Sequence, residues 1–182
     1  MELPSCCQIT NAAGKFLIVA PNTHDVLARI AAVKAEIGKW FLETALGTSN
    51  MSVVSSPCSC NDLVSGRFSD KMKEVFAELE RAKLRQFDLC DPQAPVVLKE
   101  DYSLGVCSWN QRMPADGVKL NGENSCKISR DQIKIGELLT KSARLLVFED
   151  DESVPTGRGA LEQPIFGMRL FFTERSQEAF PD

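Results

Sequence analysis

The spacing of apolar residues changes several times along the chain, and each change marks an element. Residues 15–20 (Lys-Phe-Leu-Ile-Val-Ala) are a short run with aromatic and β-branched members between Gly14 and Pro21, which predicts a strand. Residues 6–10 supply the other arm of a hairpin, with residues 11–14 as its turn. After Pro21, Asn22 or Thr23 can cap a helix. Its Val26, Ile30, Val33, Ile37 and Phe41 form one stripe, expected to pack on the hairpin. Residues 51–55 alternate at period two, as a strand with one buried face does. A polar loop with Cys58 and Cys60 follows. Phe68, Met72, Val75, Phe76 and Leu79 then predict a second amphipathic helix, with Ser69 as cap. Arg81, Lys83 and Arg85 stand at its end, where the helix dipole favours cations.

The periodicity is lost at Asp88. Two Pro-containing steps, Asp91-Pro92 and Ala94-Pro95, break the helix, and the residues up to 128 are rich in Gly, Asn, Asp and Ser. A linker and a small irregular module are expected there. Ser129 with Gln132 three residues on is a capping-box pattern for a helix carrying Ile133, Ile135, Leu138 and Leu139. Residues 143–148 predict a strand. A loop holding Glu149, Asp150, Asp151 and Glu152 leads to a last strand-like run, residues 165–173.

Composition narrows the function. The 182 residues are 43% hydrophobic, enough to bury a core. With 21 basic and 25 acidic side chains the net charge is −4, so any nucleic-acid contact must be local rather than a property of the whole chain. No apolar run approaches the roughly 20 residues of a membrane helix, and the N-terminal pattern is not that of a signal peptide, so the cytoplasm is the expected location. Seven irregularly spaced cysteines argue against a disulfide framework. His24 is the single histidine, so a Ser-His-Asp or Cys-His site would have to be built around it.

The irregular module carries Cys107-Ser108-Trp109-Asn110 and, sixteen residues after Asn110, Cys126-Lys127-Ile128-Ser129. This is the spacing of a four-cysteine zinc ribbon with one member of each pair replaced. Two readings stay open: a ribbon-shaped loop without metal, or a weak zinc site on Cys107 and Cys126 completed by cysteines such as Cys58 and Cys60. The adjacent Cys6 and Cys7 would face opposite sides of a strand, and a thiol enzyme built on them would need a low thiol pKa. The acidic residues 149–152 read as a solvated loop or a hard-cation site. Arg81, Lys83 and Arg85, with Lys71 and Lys73 upstream, could meet RNA phosphates or complement the helix dipole. No phosphate-binding glycine motif is present. The turn Ala12-Ala13-Gly14-Lys15 carries a lysine where a metal-dependent nucleotidyl cyclase needs acids to hold two Mg²⁺ ions.

Two stretches resemble one known family, the large palm-domain subunit of type III-A CRISPR interference (Csm) complexes. The run from Ala12 through Gly14, Lys15 and Phe16 to Pro21-Asn22-Thr23 is similar to the family's Gly-Gly-Lys-Phe strand ending in Pro-Asn-Thr. The second stretch runs from Gly105-Val106-Cys107 through Met113-Pro114-Ala115-Asp116-Gly117, Asn121-Gly122 and Cys126 to residues 131–136 and 143–148. It is similar to the family's zinc-ribbon insert and the helix and strand after it.

The resemblance implies an α/β (α+β) fold: a partial ferredoxin-like palm, related to nucleotide cyclases, with a small degenerate zinc-ribbon-like insert. Residues 1–88 would be the partial palm, 89–128 the linker and ribbon-like module, and 129–182 a helix-strand continuation packing on the palm. In that family a His-Asp region and a second palm with an acidic turn carry catalysis, the latter making cyclic oligoadenylate from ATP. Neither motif is in this sequence, so the expectation is a non-catalytic scaffold fragment acting in RNA-guided antiviral defence. Gly14 and Lys15 are the nucleotide-contact candidates, and Cys107 and Cys126 the metal candidates, with no cofactor expected unless zinc. Expected partners are the other subunits of the complex, the remaining parts of the large subunit, and CRISPR RNA or target RNA through Arg81, Lys83 and Arg85. No membrane association is expected. An uncovered sheet edge predicts dimerisation or aggregation of the isolated chain. The alternative function is a stand-alone cysteine-based zinc-binding interaction module.

Overall fold

The computed structural model describes residues 4–12, 14–64, 66–86, 98–149 and 155–174. Its architecture is α+β, with helices and, among the described residues, three separate two-stranded antiparallel sheets. The chain divides into two compact units, one of Met1–Lys39 and Asn50–Ala94, the other of Trp40–Ser49 and Pro95–Asp182.

In the first unit, β1 (Gln8–Ala12) and β2 (Lys15–Ile18) form the predicted hairpin, with Ala12 paired to Lys15. The turn is shorter than expected, and Gly14 takes a φ of +72°, which glycine adopts without steric cost. Cys6 and Cys7 lie before the strand, in a 3₁₀ turn over Ser5–Cys7, so the opposite-face argument for them does not apply. Helix α1 (His24–Ala45) begins where the sequence places it. Thr23 Oγ1 accepts the Val26 amide at 3.4 Å, satisfying one of the helix's unpaired donors. Along the stripe, Ile37 is buried and Val26 and Ile30 are half-buried, whereas Val33 stays half exposed. Ile9, Phe16 and Ile18 of the hairpin are also about half exposed, so its apolar side chains remain open to solvent.

Three expectations for this unit need correction. Residues 51–55 form no ladder among the described residues; instead Met51, Ser52 and Val53 line a cleft of about 50 Å³ with Lys34, Gly38, Ala82 and Arg85. Met51, Ser52, Val53 and Val54 are all half-buried, so the alternation in the sequence is not matched by alternating cover. The polar loop contains a short helix, α2 (Cys60–Val64), started by Asp62, whose carboxylate accepts the Ser59 amide and hydroxyl. Helix α3 (Phe68–Lys83) starts one residue before Ser69, so Arg67 and not Ser69 is the N-cap, and no side chain caps it.

In the second unit, α1 ends with Leu46 and Gly47 at positive φ, and the Gly47 amide reaches back to the Phe41 carbonyl at 3.3 Å. Trp40 and Phe41 meet edge-on, and Phe166 packs against both, with ring centroids 4.7 and 6.2 Å away. β3 (Lys119–Leu120) and β4 (Glu123–Asn124) are joined by Asn121-Gly122, both at positive φ, a tight-hairpin turn chemistry. Helix α4 (Lys127–Leu138) leads into β5 (Ser142–Phe148), which pairs with β6 (Arg169–Glu174). Leu138, Leu161 and Phe172 form the core under this hairpin, with Ile135 and Leu170 against them. Each buried side chain of this size stabilises the unit by roughly 1.5–3 kcal/mol. Ser129 is not the cap of α4. Cys126 holds that position, and Ser129 lies buried in the first turn.

Candidate functional site

In the first unit the candidates surround the hairpin turn and the end of α3. Gly14 has open space where a side chain would stand. The Lys15 ammonium sits 5.2 Å from the centre of the Phe76 ring, a cation–π contact that draws it toward α3. Of the five basic residues read as RNA contacts, three carry partners three residues away. Lys71 pairs with Glu74, Lys73 with Asp70 and Lys83 with Glu80, at 3.0, 2.8 and 2.6 Å. Hydrogen bonds from Lys71 and Lys83 hold the Glu74 and Glu80 carboxyls below their ordinary pKa. Arg81 and Arg85 are exposed and remain the stronger phosphate candidates.

Among the described residues, the cysteines of this unit show no environment that activates a thiol. Desolvation, then the neighbouring Cys6, raises the Cys7 thiol above its ordinary value, the wrong direction for a nucleophile. Cys58 and Cys60 are exposed. His24 is exposed beside Asp25. Ala13, Cys90 and the acidic residues 150–152 lie outside the described residues.

In the second unit, all four positions of the paired spacing meet. A hairpin-like loop is closed by Cys107 N–H to Met113 O and Ala115 N–H to Gly105 O, both at 2.9 Å, and brings Cys107 and Asn110 to the N-terminus of α4. There Ser129 Oγ lies 3.3 Å from Cys107 Sγ and 3.4 Å from Cys126 Sγ. Asn110 Nδ2 donates to Cys126 Sγ at 3.5 Å and to Ser129 Oγ at 3.3 Å. Its Oδ1 accepts the backbone amides of Arg112 and Met113 at 3.1 and 2.9 Å, which fixes the orientation of the amide. Cys107 is fully buried; Met113 and Cys126 pack with it, and Leu46 and Ile128 complete the cluster. Burial pushes the Cys107 thiol up. Hydrogen bonding to Ser129, to the Asn110 and Trp109 amides and to Cys126 outweighs it, and the thiol lies below its ordinary value.

This donor set does not fit a tetrahedral zinc. A structural zinc takes four thiolate or imidazole ligands as a rule, and here the Asn110 group turned toward the sulfurs is an N–H donor, while its oxygen is occupied by backbone amides. No group of three or more His, Cys, Asp or Glu side chains arranged to hold a metal occurs among the described residues.

Beside the knuckle lies a network the sequence did not announce. Arg130 Nη1 and Nη2 donate to the two carboxylate oxygens of Asp116 at 2.9 and 2.7 Å. Nε and Nη2 donate to Glu162 at 2.9 and 2.6 Å, and Nη1 also reaches Ser125 Oγ. These hydrogen bonds hold the Asp116 and Glu162 carboxyls below their ordinary values and raise the guanidinium further. The adjacent Asp131, buried, accepts the backbone amides of Glu162 and Gln163 at 2.9 and 2.7 Å. Apart from Ser125, the partners stand 14 to 32 residues apart, beyond any local motif.

A family model, described as Csm1 subunit domain B, matches residues 1–97, just over half of the chain. The chain belongs to the Csm1 family. The recognition, read in part from the Gly14-Lys15 hairpin inside the matched residues, therefore holds, and this Csm1 chain is placed with the large subunit of type III-A complexes and, as partners, the other effector subunits. No curated protein and no solved structure matches it. Among the described residues no helix is long and apolar enough to cross a membrane.

Proposed function

We propose that this Csm1 chain is a non-catalytic, palm-like scaffold within the cytoplasmic type III-A interference complex, acting in RNA-guided antiviral defence. Residues 105–129 serve in it as a degenerate ribbon-like insert. The observation that carries this reading is the make-up of the β1–β2 hairpin. A two-metal nucleotidyl-transfer site needs carboxylates to grip Mg²⁺. Neither strand contains one, and the turn offers only Gly14 and the Lys15 ammonium. Those two residues can touch a phosphate of a nucleotide held elsewhere in the complex; they cannot organise its metals.

Two further observations support a binding role. Ile9, Phe16 and Ile18 leave apolar surface on the hairpin for the other subunits or the rest of the large subunit to cover. Arg81 and Arg85 leave positive charge for RNA phosphates. Incubation of the purified chain with ATP and Mg²⁺ tests the claim, with chromatography as the readout. Unchanged ATP is expected. Cyclic or linear oligoadenylate that co-elutes with the chain overturns it.

A further inference from the structure

We infer that the knuckle formed by Cys107, Asn110, Cys126 and Ser129 is closed by hydrogen bonds at the place where the same spacing with four cysteines would hold zinc, and that Asn110 is the residue that closes it. The spacing alone leaves the matter open; the geometry decides. Four side chains from two distant stretches are linked by contacts of 3.3–3.5 Å made by Ser129 and Asn110, although two of them are poor metal ligands. Such a small loop has little core of its own, and beyond the Ser108 amide bonded to the Asn124 carbonyl at 2.9 Å, side chains must hold the first stretch to the start of α4. Asn110 has the right shape for that task. Its amide oxygen fixes the tight turn by accepting two backbone N–H groups, and its amide nitrogen reaches across to Cys126 Sγ and Ser129 Oγ at the start of α4. One planar side chain thus spans the gap that a metal ion bridges in a four-cysteine ribbon.

The surroundings are built for this arrangement. Cys107 and Ser129 are buried, Met113 packs over the sulfurs, and Asn110 is partly buried, so these weak bonds are shielded from water. The Cys107 and Cys126 thiols act here as hydrogen-bonding and packing groups, which needs no bound ion.

Full-length protein purified in zinc-supplemented medium and dialysed gives the first measurement. Background zinc and a melting midpoint unmoved by a chelator are expected. One zinc per chain, or a midpoint lowered by the chelator, overturns the inference. The Asn110→Ala variant should melt about 5 °C lower, as loss of a bridging, partly buried amide implies; an unchanged midpoint contradicts the role given to Asn110. The double variant N110C/S129C should take up one zinc per chain and become chelator-sensitive. If it folds and takes up none, the positions are not those of a metal site and the inference fails. The wild-type measurement decides the matter even if that variant does not fold.

Discussion

Replacing Arg130 with methionine is expected to destabilise the second unit by about 2–4 kcal/mol, measured by urea unfolding at neutral pH. The Arg130 side chain is only 10% exposed and joins Asp116, Ser125 and Glu162, which lie between the two halves of the knuckle, just before α4 and before β6. Methionine keeps much of the volume but removes four charge-assisted bonds to carboxylates. It also leaves two acids facing a lost partner. Glu162 is partly exposed and recovers some hydration, which keeps the cost below that of a fully enclosed pair. The pH dependence has a definite sign. Asp116 and Glu162 have depressed folded-state pKa values, so their contribution is present above the ordinary carboxylate range and is lost as pH falls through the folded values. The gap between wild type and variant should therefore narrow at about pH 3. A gap that stays constant from neutral to acid would mean the methionine acts through packing alone.

Substitution of Gly159 by alanine is the second large effect, a loss of about 3 kcal/mol or more. A Cβ on Gly159 would overlap the Phe172 carbonyl oxygen and press on the Phe171 ring at 3.1 Å. Neither neighbour can give way cheaply. The Gly159 carbonyl accepts the Phe172 amide at 2.9 Å, and Ala160 bridges to Phe171, so the two backbones are tied where the methyl would intrude. Phe171 and Phe172 are both buried in β6. Gly136→Ala serves as a control. Gly136 lies on exposed α4 with open space around its Cβ direction, and alanine there should gain about 0.5–1 kcal/mol of helix stability. Equal effects at the two sites would contradict the packing described for Gly159.

Much of the helical framework was legible in the sequence because it is written locally. Thr23 and the four-three-four-four stripe specify α1, and the apolar spacing from Phe68 to Leu79 specifies α3. The hairpin before Pro21 and the strand read at 143–148, observed over Ser142–Phe148, were equally plain. Residues 51–55 misled because the segment lies against residues of α1 and α3 with its successive side chains all partly covered, and no partner strand among the described residues gives the alternation a face to bury. Ser69 and Ser129 misled for a related reason: a serine near a helix start has cap chemistry, but Arg67 and Cys126 occupy the cap positions, and Ser129 is used by the thiols. The knuckle was half legible. Its spacing named the four residues that meet, while the two-sided use of the Asn110 amide depends on a backbone turn that spacing does not encode. The Arg130 and Asp131 contacts had no local signal, since their partners are up to 32 residues away.

The central claim is that this Csm1 chain works by contact within an effector complex. Co-expression with the other subunits of a type III-A complex, followed by size-exclusion chromatography and subunit quantification, tests it most directly. The chain should elute with the complex in fixed ratio to the other subunits. A fully assembled complex eluting without the chain, which then runs separately, would contradict it.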